Sequence, residues 1–403
     1  LKHYIEIENV GPIKKAKIDL SKYVVLIGPQ ASGKSIIAKL IAIFRGREFF
    51  DDVDSNFYNS LENYGLKSFV STESHIKYTS PVYIFNLKND QLTKVENQEF
   101  ETKFSEIIDD LKLKLSLLNQ KDNEFEMLLK KGNVVALNKK MKELEDEYLF
   151  QDNKFRNFFV KPSIYIPAER IIISLLSQSI YSLIKNKINL PQLLLDFAAN
   201  YELARNEIKE YNIKFLKANY SFKNGKEILE INKQETLIAE AASGFQTLIP
   251  MLLVCEFFLK DKLSQTYIIE EPELNLFPTA QKDLIYHLIN IINNSYSKEQ
   301  NTSHDLVMTT HSPYILASLN NLLLAGKIKE EQPIKFTKAK KIVNGDYYIS
   351  KNDLNVYALK NGKAKSIISK ETGLIAENEL DHVSEEINYE FNALKNLYFE
   401  SAN

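Results

Sequence analysis

Polar and apolar residues alternate along Tyr4-Ile5-Glu6-Ile7-Glu8, a period of two that predicts a half-buried strand. Gly11-Pro12 predicts a turn, and Ala16 to Leu20 a returning strand. Tyr23-Val24-Val25-Leu26-Ile27 has no polar break, the mark of a strand covered on both faces. A glycine-bearing loop follows, and Ile36 to Phe44, apolar on nearly every side, predicts a buried helix. The period changes between about Thr102 and Asn157. Ile108, Leu111, Leu115 and Leu118 are spaced 3, 4, 3, and the seam continues through Phe125 and Leu129. After Gly132-Asn133 a second seam runs through Val134, Leu137, Met141, Leu144 and Tyr148. Two such seams predict an antiparallel helical hairpin with arms of about 25 residues, roughly 40 Å long. A hairpin that projects and one that lies flat on the core satisfy the pattern equally.

Beyond the hairpin, Ser163-Ile164-Tyr165-Ile166 predicts another buried strand, with Pro167-Ala168-Glu169-Arg170 leading out of it. Residues 171–216 look mostly helical. Asn-Gly pairs at Asn224-Gly225, Asn344-Gly345 and Asn361-Gly362 predict tight hairpins. From Glu377 to Phe399, Leu380, Val383, Ile387, Phe391, Leu394 and Leu397 share one helical face. The expected organisation is one α/β domain in two halves, residues 1–101 and 158–325. The hairpin 102–157 divides them, and a small α/β extension, 326–403, follows.

Charge and cysteine usage narrow the function classes. Lysine and arginine number 51 against 53 acids, a net charge of −2, which excludes a globally basic nucleic-acid coat. Cys255 is the only cysteine, so an internal disulfide is impossible, and with six scattered histidines it forms no zinc-ligand cluster. The greasiest run, Leu248 to Leu259, contains Pro250 and Glu256 and is too short to span a bilayer. The charged opening shows no signal-peptide pattern. A cytoplasmic protein without a membrane segment is the expectation.

Four segments carry chemistry. Gly28-Pro29-Gln30-Ala31-Ser32-Gly33-Lys34-Ser35 spells a phosphate-binding loop, with Ile36, where the following helix begins, as the last expected contact residue. Its glycines let the backbone wrap a polyphosphate and aim N–H groups inward, and the helix start adds about half a positive charge. Lys34 would reach the β- and γ-phosphates, and the Ser35 hydroxyl would ligate Mg²⁺. Next, Glu270-Glu271 follows the apolar run Tyr267-Ile268-Ile269, where unpaired carboxylates are expensive. Glu270 would hold the ion through its water shell, and Glu271 would deprotonate an attacking water. Without the upstream loop, a solvated acidic turn explains these acids better. His311 ends the strand-like Leu306-Val307-Met308-Thr309-Thr310, at the edge where open α/β sheets bind ligands. It would bond the γ-phosphate or the water, although alone a structural histidine is equally consistent. Ser243-Gly244 opens a helix, as a second anion site or an ordinary cap.

In this order the four pieces resemble the ABC-type ATPase heads of SMC proteins and, more closely, the OLD-like AAA ATPases of bacterial anti-phage systems. The string Glu271-Pro272-Glu273-Leu274-Asn275-Leu276-Phe277-Pro278 is similar to that group's Glu-Pro-Glu-Leu-His-Leu-His-Pro. The resemblance makes residues 28–35 Walker A, Ser243-Gly244 part of the signature, Glu270-Glu271 Walker B and His311 the switch histidine. It implies a P-loop NTPase fold of ABC-head type with an inserted helical hairpin, and ATP and Mg²⁺ as cofactors. It also implies a homodimer or higher homo-oligomer that sandwiches ATP. The tail resembles that of stand-alone ATPases of PARIS and Septu type, which implies a sensor that controls a separate nuclease or toxin. Three residues depart from the pattern: Phe245 replaces a signature glycine, and Asn275 and Phe277 replace two histidines. No Asp-x-Asp pair follows Pro313, so no Toprim nuclease is expected.

Arg170 would pair with a carboxylate or phosphate, or lie buried against Glu169 or a helix end. Lysines in the insert (Lys112, Lys114, Lys130, Lys131, Lys139, Lys140, Lys142) alternate with acids, which favours a solvated face over a nucleic-acid surface. An SMC-like DNA-repair ATPase and an ATP-gated scaffold with negligible turnover are the alternative functions.

Overall fold

The computed structural model describes residues 3–46, 53–81, 83–97, 161–176, 190–260, 264–295, 303–343, 345, 347–376 and 389–395. The expected hairpin 102–157 lies outside them, as does most of the expected tail helix.

Gly11, at φ 51°, turns β1 (Tyr4–Val10) into β2 (Ile13–Asp19), and the alternation of β1 puts Ile5, Ile7 and Val10 in the core. Then come β3 (Tyr23–Ile27), α1 (Lys34–Phe44) and α2 (Val53–Asn63). The strands β4 (His75–Thr79), β5 (Tyr83–Lys88) and β6 (Gln91–Glu96) form an antiparallel meander. After the undescribed segment, β7 (Ser163–Ile166) leads to α3 (Ile171–Leu176) and α4 (Gln192–Glu207). A second sheet holds β8 (Glu210–Ile213), β9 (Ala218–Lys223), β10 (Lys226–Ile231) and β11 (Gln234–Leu237). The remaining elements are α5 (Ser243–Leu259), β12 (Thr266–Glu270), α6 (Pro278–Asn294), β13 (Asp305–Thr310), α7 (Pro313–Glu331), α8 (Pro333–Ile342), β14 (Leu354–Lys360) and β15 (Lys363–Ser366).

Among the described residues the main sheet has eleven strands in the order β6-β5-β4-β1-β2-β15-β14-β3-β13-β12-β7. The half from β14 to β7 is parallel, and β6 to β2 is antiparallel. This is the α/β class expected from the sequence. Side chains leave each parallel strand alternately to two cores. Val24, Leu26, Ile268 and Val307 pack with α1, while Tyr23, Val25, Ile269 and Met308 pack with α5, α6 and α7. Coverage on both faces is why these strands read as unbroken apolar runs.

Several expectations change. Residues 210–213 form a strand rather than helix, because Tyr211 and Ile213 alternate inward opposite Tyr220 and Ala218. Asn224-Gly225 and Asn361-Gly362 make the expected hairpins. Asn344 of the third pair lies outside the described residues. Gly345 follows α8, and its N–H bonds the Lys340 carbonyl at 2.9 Å, a helix-capping use of glycine. The boundary drawn at 325/326 falls inside α7, and β14 pairs directly with β3. The C-terminal residues therefore complete the central sheet. Of the tail helix, residues 389–395 are described, with Tyr389, Phe391 and Leu394 exposed.

The tie between α7 and the segment before β14 depends on Gly326. A Cβ there would lie 1.9 Å from the Ile349 carbonyl oxygen, and the Ile349 N–H bonds Leu322 at 3.0 Å. Gly326→Ala is expected to lower stability by about 2–3 kcal/mol through overpacking. The urea midpoint should fall with no change of slope; an unchanged midpoint would show that this contact yields freely.

Candidate functional site

The parallel register gathers the site. Ile27 lies beside Thr310, Thr309 beside Glu270, and Ile269 beside Ile166, so four strands end together at one edge. Their outgoing loops carry the glycine-rich segment, His311, the paired glutamates and Arg170.

The loop from Gly28 to Gly33 turns tightly. Ala31 and Gly33 have φ 57° and 98°, and a Cβ on Gly33 would meet the Ile13 side chain at 2.6 Å. On Gly28 it would lie 2.5 Å from the Leu359 carbonyl, so β14 walls the loop. Pro29, Gln30 and Ala31 are exposed, as is Ser35 in the first turn of α1. No side chain caps the start of α1, whose first N–H groups point outward. The Ser32 hydroxyl is buried with no partner. Lys34 is buried, and its ammonium donates to the carbonyls of Gly28 and Pro29, both at 2.9 Å. Burial lowers its pKa, and the fields of Glu271, Glu273 and Glu270 oppose that shift. An anionic polyphosphate fits this set, because it would take the open N–H groups, the orphan hydroxyl and the lysine together. Ile36, counted among the contact residues from sequence, sends its side chain into the core and offers such a ligand only its backbone.

Glu270 is buried at the end of β12. Its Oε2 accepts from the Ala168 N–H at 3.4 Å, and Oε1 has no partner. Glu271 follows at φ 42°, rare for a residue with a side chain. Its N–H bonds the Thr309 carbonyl at 3.0 Å, and its Oε1 lies 3.1 Å from His311 Nε2. Both side chains keep about 30% of their surface open (31% and 29%), enough to meet a ligand. The sequence-predicted Lys34, Glu270, Glu271 and His311 thus converge. Among the described residues no group of three or more His, Cys, Asp or Glu side chains could hold a metal by itself. A cation at Ser35 and Glu270 would need phosphate and water oxygens as further ligands, the mode suited to Mg²⁺.

Two residues outside the four segments prove central. Glu273 Oε1 accepts from the Thr310 hydroxyl at 2.5 Å and from the His311 N–H at 3.0 Å, fixing the backbone that carries His311. The Glu-Pro-Glu spelling held that signal, since the intervening proline directs two acids from one turn. Arg170 is fully buried near the start of α5, as the expectation of burial against a helix end has it, and it bonds backbone carbonyls of Thr247, Pro167, Glu270 and Glu271 rather than a carboxylate or Glu169.

Ser243 stands exposed at the uncapped start of α5. A Cβ on Gly244 would lie 2.9 Å from the Asn275 carbonyl, and Thr247 Oγ1 donates to Leu274 at 3.1 Å. The pair therefore packs against the segment after Glu273 rather than completing the loop at Lys34. Phe245 packs against the core, while Phe277 is 75% exposed.

Residues 177–316, less than half of the chain, match the family model of the AAA ATPase domain. No characterised protein sequence matches significantly. Among solved structures, the SMC head domain from Thermotoga maritima is similar at 10% identity and a TM-score of 0.37, over 91% of this chain and 98% of that one. An Smc head domain with an extended coiled coil from Pyrococcus furiosus overlaps 96% of this chain and 99% of its own, at 12% identity and a TM-score of 0.35. A nucleotide-free ATP-binding cassette from an ABC transporter gives 11% identity and 0.29, over 90% and 89%. These superpositions are loose, and the functional reading rests on the site itself.

Burial raises the pKa of Glu273, against bonds from Thr310 and His311 that lower it. The native state then holds this proton more tightly than the unfolded chain does. The stabilisation is complete below the unfolded pKa of about 4.3 and is lost as pH rises through the raised native value. Glu273→Gln keeps an acceptor for Thr310 and cannot titrate. Its urea midpoint should gain on the wild type between pH 4.5 and 7.5; a gap moving the other way would contradict a raised native value.

Proposed function

We propose that this chain binds ATP with Mg²⁺ and hydrolyses the β–γ phosphoanhydride, using the bond energy to switch between assemblies. The observation that carries the reading is the Glu271–His311 pair at 3.1 Å on strand ends adjoining the Lys34 loop. Lys34 exchanges its two carbonyl partners for the β- and γ-phosphates, and the open N–H groups of the loop and α1 hold the remaining oxygens. Ser35 and Glu270 hold Mg²⁺, which would neutralise charge on the transferring phosphate. Glu271 accepts the proton of the attacking water as oxygen bonds the γ-phosphorus and the bridging oxygen leaves with ADP. His311 holds the Glu271 carboxylate towards that water.

Ser243 is exposed at the uncapped start of α5, and Gly244 packs against Asn275 and Leu276 rather than the Lys34 loop, which supports a site completed by a second copy. Two chains would each offer Ser243-Gly244 to the other's γ-phosphate, closing with ATP and parting after hydrolysis. The motif order and its resemblance to stand-alone defence ATPases support a sensor subunit that governs a separate nuclease or toxin.

Lys34→Ala is expected to weaken Mg-ATP binding by about 30- to 100-fold, the worth of one charged phosphate contact. Glu271→Gln should bind ATP, slow phosphate release by at least about 100-fold and accumulate a dimer in size-exclusion chromatography with Mg-ATP. Equal phosphate release from Glu271→Gln and wild type would remove hydrolysis by this site. Turnover stimulated by DNA would move the assignment to a DNA-engaging machine.

A further inference from the structure

We propose that Arg170 is a positioning residue for hydrolysis, a rigid link that holds the start of α5 and the Glu271 turn in one geometry. The inference rests on the hydrolytic role of Glu271 given above. Arg170 is 0% exposed, and its planar fork reaches three chain segments. Nε donates to the Thr247 carbonyl at 3.1 Å, one turn into α5 from Ser243. Nη1 donates to Pro167 at 3.0 Å and Glu270 at 2.7 Å, and Nη2 to Glu271 at 2.7 Å.

Stability is a poor reason for this arrangement. A buried guanidinium is costly to desolvate, and an apolar side chain of similar volume usually serves the core as well. Its bonded partners are neutral carbonyls, while Glu273, Glu270 and Glu271 offset its charge only through their fields. What the fork supplies is geometry. Successive carbonyls of an extended strand point in opposite directions. Those of Glu270 and Glu271 both reach one guanidinium, which requires the chain to turn between them. Glu271 takes that turn at φ 42°, and its carboxylate is thereby delivered to His311. Thr247 is tied a second time, through Oγ1 to Leu274, in the segment that Glu271 leads into. Movement at the start of α5, where a second copy's phosphate would dock, is thus passed to Glu271 through a planar group with little freedom. Lysine keeps the charge but lacks the fork.

The test uses the full chain with Arg170→Lys, Glu271→Gln and the double variant. Each is measured for thermal unfolding, Mg-ATP affinity by calorimetry and phosphate release. Arg170→Lys should fold, bind Mg-ATP within about threefold of wild type and lose about 30- to 100-fold in kcat. The double variant should release phosphate no more slowly than Glu271→Gln alone, because the arginine acts only through that carboxylate. Losses that multiply, a kcat within about threefold of wild type, or an Arg170→Lys chain that cannot fold would each overturn the proposal, the last by assigning Arg170 to stability. Equal turnover in wild type and Glu271→Gln is a different failure, since it removes the hydrolytic reading itself.

Discussion

Parallel pairing of β3, β13, β12 and β7 in one fixed register is the constraint from which the site follows. Ile27 is level with Thr310, while Glu270 pairs with Thr309 and Ile166 with Ile269, so the strand ends step back by one residue at a time and each outgoing loop begins a few ångströms from the next. A slip of one residue would exchange the two faces of a strand, sending Val25 and Ile269 towards α1 and turning the polar ends away. Burial on both faces prevents that slip. The hydrophobic layers therefore do more than stabilise the fold, since they set where Lys34, Glu271 and His311 meet.

The two ends of the same strands treat polar groups differently. At the amino-terminal edge, Asp305 pairs with Arg45 at 3.1 Å and with Lys161 at 2.7 Å, and Arg45 also bonds Thr266. That buried charge is matched within the chain. At the carboxyl-terminal edge, Ser32 Oγ, Glu270 Oε1 and Glu273 Oε2 are buried with no partner, and Glu271 holds a strained backbone angle. Unsatisfied groups and strain together are what a binding edge carries, because the ligand supplies the missing partners.

Much of this edge was legible in the sequence because its signals are local. The loop from Gly28 to Ser35 needs its glycines within a few residues of Lys34, and the apolar runs before it and before Glu270 announce strands buried on both faces. The bonds of Arg170 were not legible. Its acceptors are backbone carbonyls of Thr247, Glu270 and Glu271, which any residue type provides, so no side-chain pairing rule points to them. The position of β14 was hidden for a related reason. Pairing with β3 across more than 300 residues of chain uses main-chain bonds that leave no pattern beyond alternation. The helical reading of 210–213 failed because four residues are too few to separate the two periods, and pairing with β9 decided the matter.

Phe245 and Phe277, which depart from the resembling pattern, have opposite fates. Phe245 takes the place of a glycine in the first turn of α5, where an aromatic ring pointing outward would cover the start of the helix. It packs against the core instead, so Ser243 and the first N–H groups of α5 stay open. The substitution thus removes backbone freedom and leaves the start of α5 uncovered. Phe277, at the start of α6, remains 75% exposed beside the Leu274–Leu276 segment that holds Gly244. An exposed aromatic ring follows the segment that packs on an uncapped helix start, so apolar area and open N–H groups lie near each other. On the function proposed above, a second copy bringing its own nucleotide would cover both.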